Sequence, residues 1–109
     1  MANNLDTFFA ALSDPTRRAV IERLTQGPAA VSELHAPHEM ALPSFLKHLR
    51  KLEDARIIRS EKTGRVRMVH IEAAPLQQAE DWLNQQRRRW ERRIDRLQAL
   101  AEGMERNPQ

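Results

Sequence analysis

Cysteine is missing from this sequence of 109 residues, which excludes a disulfide scaffold or a thiolate metal site and makes the cytoplasm the expected compartment. Glycine is scarce. The three present are each accounted for as a helix cap, a hairpin turn or a tail residue, so none builds a phosphate-cradling loop. No apolar run approaches the roughly 18 residues of a membrane span. The first residues lack the basic start and apolar stretch of a secretory signal, so neither export nor a membrane partner is expected. A serine elbow and paired carboxylates on one apolar face are also lacking. The expectation is a protein that is not an enzyme and uses no cofactor.

What is present is a globular balance, with 40% hydrophobic and 30% charged residues in a length that suits one domain over 1–109. Lysine and arginine outnumber the acids 18 to 15, a net charge of +3, too small an excess to identify a polyanionic partner by itself. Placement says more than the sum. The cations gather at 47–51, at 56–67 and at 87–96.

Leu5, Phe8, Phe9 and Leu12 follow helical spacing and predict a first helix over 5–12. Ser13, Asp14 and Pro15 restart the chain as a cap and first turn, and the second helix stops near Gly27 and Pro28. A short third helix is expected over 31–36. In the fourth, over 42–55, Phe45, Leu46, Leu49 and Leu52 share one face, while Ser44, Lys47, His48 and Lys51 fall together on the other. The period then changes to that of a β-hairpin over 57–71, turning at Thr63 and Gly64, with Lys62, Arg65 and Arg67 about its tip. From Pro75 to about Met104 the chain reads as one long helix with a near-heptad seam through Leu76, Ala79, Leu83, Gln86, Trp90, Ile94, Leu97, Ala101 and Met104. Residues 105–109 are expected to fray.

This order of elements is mostly α, with one small β unit: a winged helix-turn-helix whose helix-turn-helix covers 31–55 and whose wing covers 57–71. Residues Phe9 to Arg18, Ser44 to Ala55 and Ile58 to Arg67 resemble, in the same order, the opening signature, recognition helix and wing of ArsR/SmtB-type repressors. The resemblance implies a homodimer that binds an inverted-repeat operator in double-stranded DNA and is released by an inducer. The metal-sensing members carry a Cys-x-Cys pair in the third helix, or carboxylate and His ligands on the last. Here the third helix has no cysteine and the last has no histidine, so the chain resembles the branch without those ligands, and no metal is expected. The inducer is not written in the sequence.

Each candidate site has a plainer alternative. Ser44, Lys47, His48 and Lys51 could be a solvated helix face, but the turn before them and the basic hairpin after them favour contact with base edges and phosphates. Lys62, Arg65 and Arg67 could protect a strand edge and also touch phosphate. Arg17 and Arg18 are divided between backbone contact and a surface or internal salt bridge. The arginines at 87–89, 92 and 93 read as a solvated face with i, i+4 ion pairs. His35 and His38 form the one closely spaced histidine pair, interrupted by Pro37. Leu83, Trp90, Ile94 and Leu97 on the last helix, with Leu5, Phe8, Phe9 and Leu12 on the first, are expected to form a two-fold dimer interface over 5–12 and 75–104. Competing readings are a metal- or small-molecule-responsive sensor of the same fold, and a winged helix serving only as a protein- or RNA-binding module.

Overall fold

Helical spacing of apolar residues opens the chain as α1 (Asn3–Leu12) in a computed structural model that describes residues 3–106. Asp14 then caps α2 (Pro15–Leu24): its extended backbone leaves the carboxylate free to accept the Arg17 N–H at 3.0 Å, and Pro15 fills the first turn. β1 (Ala29–Ala30), α3 (Val31–His35), α4 (Leu42–Asp54), β2 (Ile58–Thr63), β3 (Val66–Ile71) and α5 (Ala73–Arg106) complete the order. One compact unit extends to Gln78 and a second begins at Ala79, within α5.

The α4 terminus shows how the fold passes from helix to wing. Arg56 takes a left-handed φ of 60°. Its N–H bonds the Glu53 carbonyl at 2.9 Å, and the Ile57 N–H bonds that of Leu52 at 3.0 Å, which is a Schellman closure. Ile57 and Leu52, fully buried, supply its apolar contact. A left-handed backbone strains any residue with a Cβ by about 1–2 kcal/mol, partly offset by the extra unfolded-state freedom of glycine. Arg56→Gly is therefore expected to stabilise the protein by about 0.5–1 kcal/mol, read as a rise of a few degrees in calorimetric Tm.

The hairpin pairs Ile58 with Ile71 through to Thr63 with Val66. Its turn is Gly64–Arg65, one residue later than the spacing suggests, because Thr63 still pairs across the ladder. Gly64 takes φ 64° at the first central position, which suits a type II′ turn. β1 adds on the other side of β3, Ala29 opposite Val69, giving the antiparallel order β1-β3-β2. The sequence reading does not contain this strand.

Phe45, Leu24, Leu52, Ile57, Val20 and Val69 are the largest fully buried side chains, each stabilising the fold by roughly 1.5–3 kcal/mol. Phe8, expected at a dimer interface, is only 3% exposed within the single chain. Its ring belongs to this core and is not free to meet a partner, whereas Phe9, edge-on to it at 5.5 Å, lies at the surface.

The second unit is helical. Leu83, Trp90, Ile94, Leu97 and Met104 of the expected seam are exposed, Trp90 at 59%, and so is Leu100, which the seam omitted. Glu105 and Arg106 continue the helix where fraying was expected; 107–109 lie outside the described residues. Among those described, no helix is long and apolar enough to cross a membrane.

Candidate nucleic-acid interface

The turn before α4 is fixed from both sides. Arg23 bonds the Gly27 carbonyl at 3.2 Å and the Glu33 carboxylate at 3.5 Å, while Glu33 accepts the Ala30 N–H at 3.4 Å. This ties the end of α2 to the start of α3. His35 donates from Nε2 to the Met40 carbonyl at 2.7 Å, and the rings of His35 and His38 lie 5.2 and 5.5 Å from that of Phe45. The histidine pair therefore holds the turn against α4. Among the described residues, no three His, Cys, Asp or Glu side chains are grouped to hold a metal ion.

Phe45, Leu49 and Leu52 set the buried face of α4. At about 100° per residue, Lys47 and Arg50 point about 160° and 140° away from Phe45, directly outward. Both are exposed, as are Pro43, Ser44 and Lys51. Leu46, expected on the apolar face, is 43% exposed, because it turns about 100° from Phe45. It lines a groove of about 460 Å³ with Arg50 of α4 and Arg67 of β3. Arg50 is the basic residue the sequence reading missed. Its outward angle was available once Phe45, rather than Leu46, is taken as the centre of the buried face. Lys51 instead borders a groove of about 410 Å³ beside α1, with Asp6 and Asp54.

The wing is braced against α4 by the Ser60 hydroxyl, which donates to Glu53 at 2.9 Å. Arg59 pairs with Glu61 and Glu72. Lys62, Arg65 and Arg67 are exposed. Among the described residues, none of Lys47, Arg50, Lys51, Lys62, Arg65 and Arg67 takes part in an ion pair. In the arginine run of α5, Arg87 pairs with Glu91 at 3.7 Å, while among the described residues Arg88, Arg89, Arg92, Arg93 and Arg96 take part in no ion pair.

His48 does not stand free on the polar face as the spacing suggested. Three residues beyond Phe45, it returns to about 60° from it, and it is only partly exposed. Its Nδ1 lies 3.0 Å from Arg17 Nη1 and 3.6 Å from Asp14 Oδ2. Arg17, read as a phosphate contact or an internal partner, is the internal partner: it is 7% exposed, and its Nε and Nη2 donate to the carbonyls of Ala11 and Ala10. Arg18 donates to the Leu12 carbonyl at 2.7 Å.

Partial burial pushes the Asp14 carboxyl up. The Arg17 N–H and charge, the Thr16 N–H and, once acid protonates its ring, His48 outweigh it and hold the group below its ordinary 3.8. A depressed carboxyl stabilises the fold fully above its unfolded value and loses that contribution as pH falls through the folded one. Asp14→Ala is thus expected to cost about 1 kcal/mol near neutrality. In denaturant titrations this deficit shrinks as pH drops below 3.8.

Comparison with known proteins agrees with this geometry. Residues 12–61 match a family model described as a helix-turn-helix domain. The chain is 53% identical to the ArsR family transcriptional regulator RHA00566 in its crystal structure, covering 84% of this chain and 94% of that one with a TM-score of 0.80. It is 37% identical over 71 residues to the HTH-type transcriptional regulator Rv2034 of Mycobacterium tuberculosis, spanning 65% of this chain and 66%, just short of two thirds, of that protein. It is 27% identical over 79 residues to the transcriptional repressor SdpR of Bacillus subtilis, or 72% of this chain and 88% of the repressor. The chain belongs to the ArsR family of transcriptional regulators, with the winged helix-turn-helix fold of that family.

Proposed function

We propose that residues 1–109 act as one cytoplasmic DNA-binding unit, a homodimeric repressor on an inverted-repeat operator. Ser44, Lys47 and His48 of α4 meet base edges and phosphates in the major groove, while Arg50, Lys51, Lys62, Arg65 and Arg67 neutralise phosphates. Leu5, Phe9 and Leu12 of α1, with Leu83, Trp90, Ile94 and Leu97 of α5, meet their copies across a two-fold axis. The observation that carries this reading is the set of exposed lysines and arginines on one helix and one hairpin that have no acidic partner. Cations left unpaired on a braced scaffold suit a polyanion. The identity to RHA00566 supports transcriptional regulation, and the likeness to the repressor SdpR supports repression.

Footprinting on duplexes selected from a random pool tests the reading. Two protected half-sites related by two-fold symmetry are expected, with centres about one helical turn or a small multiple of it apart. A single unsymmetrical footprint would count against the dimeric mode.

A further inference from the structure

We infer that Arg17 fixes His48 as a neutral imidazole with its proton on Nε2, and that His48 thereby reads acceptor atoms on a base edge, guanine above all. This rests on the proposed DNA-binding function and adds which chemistry one position recognises. Arg17 is buried and held at three points: Nε to the Ala11 carbonyl at 2.7 Å, Nη2 to that of Ala10 at 3.2 Å, and Nη1 to His48 Nδ1 at 3.0 Å. Both carbonyls lie in the last turn of α1, where a helix leaves carbonyls without i+4 partners; that of Ala10 also accepts the Ser13 N–H at 3.2 Å and hydroxyl at 2.6 Å. The guanidinium is therefore anchored independently of His48. It keeps its charge and has only donors, so Nδ1 must accept and the ring proton must sit on Nε2.

The other charged group facing the ring is Asp14, whose Oδ2 lies 3.6 Å from Nδ1 and already accepts the Arg17 N–H at 3.0 Å. Among the described residues, no buried side-chain nitrogen or oxygen lacks a partner, and no described group bonds His48 Nε2. That atom therefore reaches solvent. It lies one turn beyond Ser44 on the same flank of α4. A donor held in one orientation donates to N7 or O6 of guanine and finds no acceptor at the N4 amino group of cytosine. A lysine is also a donor only, but its flexible stem does not fix the donor in one orientation.

Two measurements on the full chain test this. Imidazole ¹⁵N NMR of the free protein is expected to show Nε2 protonated and Nδ1 bare, and Arg17→Met to give a mixture of tautomers. In selection from random duplexes, His48→Ala is expected to lose preference at one base pair per half-site, by roughly 5- to 150-fold, with the salt slope unchanged. A wild-type ring protonated on Nδ1 would overturn the inference, even if Arg17→Met failed to fold. So would a uniform loss across sequences with a salt slope smaller by about one per protomer, the mark of a phosphate contact. Retained preference at every position in His48→Ala would also refute it. Absence of any preferred sequence for the wild type would instead sink the DNA-reading function itself.

Discussion

Replacing Lys62, Arg65 and Arg67 together by alanine is expected to weaken duplex binding about a hundredfold per protomer near physiological salt. The three cations sit around a two-residue turn, exposed and without acidic partners, so their charge is available to a phosphate backbone. Each phosphate neutralised contributes roughly 0.9 to the slope of log affinity against log salt, and the triple variant should lower that slope by about 2.7 per protomer, or about 5.4 for the dimer. Random and preferred sequences should suffer alike, because phosphates carry no sequence. Stability should change little. The side chains lie outside the core, and Ser60 still braces the hairpin to Glu53. Anisotropy titrations over several salt concentrations measure both quantities. An unchanged slope would show that the wing does not touch the backbone.

The second large effect concerns α5. Its exposed stripe places Trp90, Ile94 and Leu97 on a helix of 34 residues. A large apolar side chain gains roughly 1.5–3 kcal/mol on burial, so pairing several of them in both copies outweighs the cost of association. Trp90→Glu combined with Leu97→Glu removes two such contacts per copy and sets like charges against each other. At micromolar concentration, sedimentation velocity is expected to change from dimer to monomer. Binding to the symmetric site should then fall toward that of one half-site. Both substituted positions are exposed in the single chain, so helix content by circular dichroism should stay near that of the wild type. A variant that remained dimeric would place the interface elsewhere.

Much of this was legible in the sequence because it is local. Apolar spacing and capping chemistry placed α1, α2 and α4 to within about two residues, and the change from period 3.6 to period 2 placed the wing. The exceptions are tertiary. β1 is two alanines with neither alternation nor β-branching, and it exists because Val69 and Met68 offer a ladder edge. Leu46 reads as core by type but turns outward, since Phe45, Leu49 and Leu52 define the burial axis. Phe8 and Phe9 look equivalent at helical spacing, and only packing sends one inward. Arg17 is the hardest to foresee. An arginine in a first turn is ordinarily solvated, and its burial depends on two carbonyls of α1 and a histidine 31 residues away.

Of the proposed site, the charges on α4 and the wing could be read directly from the chain. What spacing could not give was their division of labour. Arg50 lies outward beside Arg67, Lys51 faces α1 beside Asp6, and His48 is held from behind by Arg17. These distinctions come from where neighbouring elements sit, which no single helical wheel contains.

The most direct test is fluorescence anisotropy at one fixed salt concentration, titrating the protein into a duplex selected from a random pool and into its scrambled counterpart. A preference of at least about a thousandfold for the selected duplex is expected. Equal affinity for both, or no binding to either, would contradict a sequence-specific regulator.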